Sequence, residues 1–264
     1  KSTLTNPENP VTTIENGEIE FKNVSFKYYP EAQEADLTNI SFKIESGQTI
    51  GIIGGTGSGK SSLIQLIPRL YDTTQGEVYV AGRNVKEYDL VTLRDQIAMV
   101  LQKNTLFSGT ILENLRWGDK DASLAEVKRM ASLAQADQFV STFPEEYNTI
   151  LDQGGNNVSG GQKQRLTIAR ALLKKPKILI LDDSTSAVDT KTDAKIRQAF
   201  KEEIPNTTKI IVAQRVSSIQ DADKIIVLDE GKINGIGTHE ELLANNQIYQ
   251  EVYESQVKGG RISE

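Results

Sequence analysis

Hydrophobic residues recur with two different rhythms along this chain. From Glu18 to Tyr28, the residues Ile19, Phe21, Val24, Phe26 and Tyr28 nearly alternate with polar ones, and the slip at Asn23-Val24 predicts a bulge in a strand. Ser41 to Ile44 and Glu77 to Val80 alternate too. Period-two alternation leaves one face solvated, so these stretches are expected as antiparallel strands. Ile178-Leu179-Ile180-Leu181, Ile210-Ile211-Val212-Ala213 and Ile225-Ile226-Val227-Leu228 are apolar throughout, which predicts strands covered on both faces, as in a parallel sheet flanked by helices. Between the two sets, Ser123 with Glu126 makes a capping-box pattern ahead of Leu124, Val127, Ala131 and Ala134 on one helix face. A second helix is predicted from about Gly160 to Lys174, ending before Pro176. No internal repeat, heptad run or low-complexity segment appears. The pattern is α/β.

The candidate chemistry sits where the rhythms change. Gly54-Gly55-Thr56-Gly57-Ser58-Gly59-Lys60-Ser61 fits G-x-x-x-x-G-K-[ST] and lies between the strand-like run Thr49 to Ile53 and a helix-like one. Its glycines let successive N–H groups point at one centre, which makes a nest for phosphate oxygens at a helix N-terminus. Lys60 adds a point charge for the β- and γ-phosphates, and the Ser61 hydroxyl is an oxygen ligand for Mg²⁺. Leu63, Leu66, Ile67 and Leu70 then form one apolar helix face, with Pro68 predicting a kink. Asp182 ends the first apolar run, where a carboxylate can serve Mg²⁺ directly or through water. Asp183 follows at once, in position to orient or deprotonate a nucleophilic water. Val158-Ser159-Gly160-Gly161-Gln162 opens the second helix and forms another anion site. One chain does not need two such sites for one nucleotide, so this one is expected to face the γ-phosphate held by another subunit in a roughly two-fold dimer.

Composition narrows the partners. With 264 residues the chain is long enough for a sizeable core, and its net charge of −6 argues against a protein that coats nucleic acid. The lack of cysteine excludes disulfides and thiolate metal sites. No run approaches the roughly 18 apolar residues of a membrane span, so a soluble polypeptide is expected. It begins with Lys1 and a polar segment, Asn6-Pro7-Glu8-Asn9-Pro10, and reads as part of something longer.

With these residues the sequence closely resembles the nucleotide-binding domain of ABC transporters, in particular the multidrug exporter group, from about Gly17 to Gln256. The resemblance implies an α/β P-loop NTPase of the ABC ATPase type. It implies a RecA-like parallel-sheet core at 47–102 and 170–235, an N-terminal antiparallel β subdomain mainly at 17–50 and 76–100, and an inserted helical subdomain at about 103–169. Residues 1–16 would link a preceding transmembrane domain and 257–264 would form a tail. The implied ligands are ATP and Mg²⁺, held by Gly54, Gly55, Thr56, Gly57, Ser58, Gly59, Lys60, Ser61 and Ser62. Tyr28 looks like the aromatic that stacks on adenine, with adjacent Tyr29 competing for the role; read alone, Tyr28 is a strand aromatic in a small core. Gln102 matches the glutamine loop that touches Mg²⁺ and links the nucleotide to the transmembrane partner, although by itself it is a loop amide. The implied metal ligands are thus Ser61, Gln102 and Asp182. Val158 to Gln162 is similar to the family signature, with Val158 for the usual leucine. Ser186-Ala187-Val188-Asp189 resembles the D-loop at the dimer interface, or serves simply as a helix cap.

Three departures shape the expected function. Asp183 stands where the family usually has glutamate, Gln214 where it usually has the switch histidine, and Gln153 where exporters often carry a glutamate before the signature. Glutamine can donate a hydrogen bond but carries no charge. The only histidine, His239, is expected as a surface residue at a helix start. Loss of glutamate and histidine beside a good signature resembles one half of a heterodimeric exporter. Its own loop would hold ATP at a slow site while Ser159 to Gln162 completes the partner's fast one. The competing expectations are a homodimeric exporter domain with slow turnover and a binding module without turnover. A non-transport ABC ATPase would carry a coiled-coil insertion or basic linkers, which this chain lacks. The resemblance places the domain at the cytoplasmic face of the cell membrane, with a transmembrane domain and a second nucleotide-binding domain as partners and no nucleic acid.

Overall fold

The computed structural model describes residues 3–103 and 105–261, with the side chain of Arg261 left out. The first layer is antiparallel, as the alternating stretches require. β1 (Ile19–Phe26) buries Ile19, Phe21, Val24 and Phe26 and pairs with β2 (Leu37–Ile44). Its register breaks between Phe21 and Val24, where Asn23 takes a φ of 50°, so the bulge falls at the slip in the pattern. The chain then makes β3 (Thr49–Gly54) and α1 (Lys60–Leu66) and returns to the first layer as β4 (Gln75–Val80) and β5 (Arg83–Asn84), in the order β2-β1-β4-β5. α1 is shorter than its apolar spacing predicts. Leu63, Leu66 and Ile67 are buried, but the chain turns at Arg69 (φ 52°), so Pro68 lies beyond the helix and kinks nothing, and Leu70 is 40% exposed.

After α2 (Leu90–Asp95), β6 (Ile97–Val100) enters a second sheet. A helical segment follows: β7 (Gly109–Thr110), α3 (Ile111–Leu115), α4 (Leu124–Leu133), α5 (Asp137–Val140), β8 (Ile150–Leu151) and α6 (Gly160–Leu173), with β7 and β8 paired antiparallel. Ser123 and Glu126 form the capping box of α4. Its buried face is Val127, Met130 and Ala131 with Ala134 just beyond, while Leu124 in the first turn is 43% exposed.

The chain returns to the second sheet through β9 (Ile178–Asp182), α7 (Thr190–Glu203), β10 (Thr208–Val212), β11 (Lys224–Asp229) and β12 (Lys232–Gly237), then closes with α8 (His239–Asn245) and α9 (Gln247–Arg261). This six-stranded sheet has the order β12-β11-β3-β10-β9-β6, with every neighbouring pair parallel except β11 with β12. Its central strands are apolar throughout because alternate residues enter different cores. Ile50, Ile52, Ile178, Ile180 and Ile210 join Ile19, Phe21 and Leu63 on one side. Leu179, Leu181, Ile211, Ile225 and Val227 join Val127, Leu166 and Ile196 on the other. Two-sided burial is what a parallel sheet between covering layers demands.

Candidate nucleotide site

Strand order assembles the site. β3 ends at Gly54, β9 ends at Asp182, and only β10 lies between them, with Val212 opposite Asp182 and Ile52. The glycine loop and the two aspartates therefore share the C-terminal edge of the sheet, where ligands of parallel α/β sheets bind. Two loop glycines are conformationally obligatory, Gly57 at φ 76° and Gly59 at φ 103°. A side chain at Gly59 would also meet Leu37 Cδ2 at 2.7 Å. The Ser58 carbonyl accepts from the Gly231 N–H at 3.0 Å, which ties the loop to the turn between β11 and β12. Gly55 and Gly57 face open space, within which a phosphate can meet the backbone.

Beside the loop lies a cavity of about 900 Å³, lined by Tyr28, Thr38 and residues 34–36, 57–62 and 230–232. Tyr28, not the 70% exposed Tyr29, stands in its wall. Its hydroxyl donates to Gln65 Oε1 at 2.9 Å and accepts from the buried Ser62 hydroxyl at 3.1 Å, so α1 holds the ring in place. The ring also packs edge-on against Phe26 and Tyr71, at 4.7 and 5.1 Å between centroids.

Three charges meet at the sheet edge. Lys60 Nζ donates to the carbonyls of Gly54 and Gly55, the latter at 2.9 Å. Burial lowers the Lys60 pKa, against the pull of Asp182 and Asp183. Burial raises the Asp182 pKa, the negative charge of Asp183 adds to that, and Lys60 opposes it. Asp183 is raised by burial as well, while the Gln214 backbone N–H that it accepts, Arg215 and Lys60 pull it back. Asp183 takes a left-handed φ of 51° as its own N–H bonds the Val212 carbonyl at 2.7 Å. Gln214 follows β10 with its side chain exposed. Gln102 lies just past the end of β6, the strand beside β9, and its amide makes no hydrogen bond among the described residues.

The Val158 to Gln162 segment is outside this cavity. Ser159 caps α6 through a reciprocal box: its hydroxyl accepts from the Gln162 N–H at 3.1 Å, and its N–H donates to Gln162 Oε1 at 3.0 Å. The hydroxyl expected to meet a phosphate is thus engaged with its own helix. Asp189 caps α7 through the Thr192 N–H at 2.9 Å. The two segments are joined by Gln164, whose buried side chain donates to Ser186 Oγ at 3.0 Å and accepts from the Ala187 N–H at 2.9 Å. The sequence carries no signal for Gln164, since Gln162, Lys163 and Arg165 around it are as polar. Arg215 is a second residue missed by pattern, donating to the carbonyls of Thr185 and Val188. His239 begins α8, but it is half-buried rather than a plain surface residue, with Nδ1 2.6 Å from the Tyr249 hydroxyl.

Among the described residues no three His, Cys, Asp or Glu side chains gather as a metal cage. The donor set here is a hydroxyl at Ser61 and a carboxylate at Asp182, both hard oxygens. It fits Mg²⁺ shared with substrate phosphates, the usual habit of that ion.

A phosphate-cradling loop between a parallel strand and a helix, with acidic residues at a nearby strand tip, defines a P-loop NTPase. A family model described as ABC transporter matches residues 37–186, more than half of the chain. The chain is 48% identical over 240 residues to the ABC transporter ATP-binding protein YfiB of Bacillus subtilis (strain 168), covering 91% of this chain and 41% of that protein. It is 44% identical over 236 residues to Multidrug resistance protein 1 of Entamoeba histolytica, covering 88% of this chain and 18% of that one. Its fold matches a bacterial Atm1-family ABC exporter with ATP bound, at a TM-score of 0.91 and 34% identity, over 96% of this chain and 44% of that chain. The chain belongs to the ABC transporter family, and its fold is that of an ABC ATPase. It spans less than half the length of each of these relatives.

Proposed function

We propose that this chain is the ATP-hydrolysing domain of an ABC exporter of drugs or lipids, and that its own nucleotide site is the slow one of a heterodimer. The observation that carries the slow-site reading is the pair Asp183 and Gln214 at the edge of the sheet. Asp183 is one methylene shorter than glutamate, which draws its carboxylate back by on the order of 1 Å, a displacement that can cost roughly 10²-fold in a geometry-limited step. Gln214 adds no positive charge where negative charge grows during phosphoryl transfer. Neither residue belongs to the loop that holds the phosphates.

In this reading Lys60 and the loop N–H groups bind the β- and γ-phosphates, and Tyr28 carries the adenine. Ser61, Asp182 and Gln102 would hold Mg²⁺, which when bound would supply charge neutralisation at the phosphates. Asp183 holds the attacking water and takes its proton, and Gln214 donates to the transferred group. The Ser159 to Gln162 helix start serves the partner's nucleotide, with Ser186 and Asp189 at the interface. A transmembrane domain, joined through residues 1–16, docks near Gln102. There Phe107 and Trp117 stack in the open at 4.7 Å between centroids, beside the exposed Leu101. Such an exposed apolar patch marks an interaction surface. The proposed place of work is the cytoplasmic face of a membrane; no helix among the described residues is long and apolar enough to cross one. The subdomains are proposed at 17–50 with 76–100, 47–102 with 170–235, and 103–169.

Single-turnover hydrolysis in the assembled dimer, with the partner's catalytic glutamate removed, tests the reading. Asp183→Glu with Gln214→His is expected to raise the rate more than either change alone. A wild-type site as fast as the double variant would overturn the slow-site assignment and leave a homodimeric exporter as the better reading.

A further inference from the structure

The loop that carries Gln214 is held from two sides. On one side the Arg215 guanidinium donates to the Thr185 carbonyl at 2.7 Å and the Val188 carbonyl at 3.0 Å. It also lies 3.4 Å from the buried carboxylate of Asp193, which accepts from Ser218 Oγ at 2.6 Å. On the other side α9 reaches back over the loop. Gln256 donates from Nε2 to the Gln214 carbonyl at 2.6 Å and accepts at Oε1 from the Val216 N–H at 2.8 Å. Between β10 and the turn at Val216–Ser218 the backbone leaves the sheet, and its polar groups need other partners. A side-chain amide is suited to this place because it donates and accepts at once without charge.

The helix that presents Gln256 is itself anchored. Tyr249 is fully buried and stands seven residues, or about two helical turns, before Gln256. Tyr253 lies between them against the His239 ring, at 5.2 Å between centroids. Spacing of this kind puts all three on one helix face, so the glutamine is delivered to the loop by a packed element.

We propose that Gln256 is a positioning residue for hydrolysis: by fixing the backbone of residues 214–216 it sets the Gln214 side chain and steadies the loop that leaves β10 beside Asp183, whose N–H bonds the Val212 carbonyl. This rests on the roles proposed above for Asp183 and Gln214. Gln256 lies outside the nucleotide cavity, so its effect belongs to cleavage rather than to binding.

The test uses the full-length transporter with its partner's catalytic glutamate removed, comparing wild type with Gln256→Ala and Gln256→Glu. The glutamate variant keeps the length of the side chain but sets a carboxylate oxygen against the Gln214 carbonyl. Both variants are expected to slow single-turnover hydrolysis by roughly tenfold, since sub-ångström misplacement of reacting groups costs rate. The Kd for Mg²⁺-ATP and the thermal midpoint should stay at wild-type values, a split that a merely structural role does not produce. Wild-type rates in both variants overturn the proposal. So does a rate loss matched by an equal loss of ATP affinity, or a glutamate variant as fast as wild type beside a slow alanine one. Gln214→Ala and Asp183→Ala run alongside as controls. If they slow hydrolysis and the Gln256 variants do not, only the Gln256 role fails; if they leave the rate unchanged, the roles of Asp183 and Gln214 fail first.

Discussion

Asp183 sits in a left-handed conformation with a carboxyl pKa raised chiefly by burial, so the group proposed to handle water also weighs on the fold. The folded state binds that proton more tightly than the unfolded chain. The penalty is therefore absent below the ordinary carboxylate range, builds as pH rises from the ordinary to the raised folded value, and is complete above that value. Asp183→Asn removes the charge and is expected to raise the thermal midpoint at about pH 8, with the gain shrinking as pH falls toward about 4. Melting curves across that range check it. An asparagine variant less stable than wild type at about pH 8 would show that the bonds of the carboxylate outweigh its burial.

At the scale of elements, the bend that follows β1 meets α1 through Tyr28. The tyrosine is held by two hydrogen bonds to α1 and by edge contacts with Phe26 and Tyr71, so its ring stands ready before any base arrives. If adenine stacks there, Tyr28→Ala loses about 1–3 kcal/mol of ATP binding, the usual value of a base on an aromatic face. Tyr28→Phe keeps the ring and gives up only the hydroxyl ties, so it should stay within a few fold of wild type. Tyr29→Ala should change nothing, because that side chain is solvated. Fluorescent-nucleotide titration of the three variants decides the matter, and a larger loss for Tyr29 would move the adenine to the other tyrosine.

Across the whole molecule, the helical segment meets the sheet edge through Gln164, a buried amide between α6 and the loop of Ser186 and Ala187. Gln164→Leu keeps the bulk but strands the Ala187 N–H and the Ser186 hydroxyl. Ser186 and Ala187 are exposed and can turn to water, so the expected cost in urea unfolding is about 0.5–1.5 kcal/mol, the net value of a typical hydrogen bond. If the signature and D-loop act together at a dimer interface, hydrolysis at the partner's site should fall in the same variant. Unchanged unfolding with unchanged hydrolysis would mean that the two segments are held by their backbones alone.

The sequence by itself determined the two kinds of sheet, because burial on one face or on two writes alternation or continuity directly into the residues. It determined the bulge at Asn23 and the phosphate loop, where Gly57 and Gly59 stand at dihedrals that other residues resist. The Ser123 cap was legible because a box closes over three residues of local chain, whereas Ser159, read for a phosphate, was shown only by the structure to close such a box on α6. Only the tertiary structure decided that α1 stops at Leu66, that Leu70 and Leu124 face water, and that His239 leans on Tyr249. It also decided the strand order that sets Asp182 one strand away from the loop. Gln164, Arg215 and Gln256 reach partners 22, 27 and 42 positions away. No local spacing encodes such pairs, because what brings them together is the packing of whole elements on the sheet.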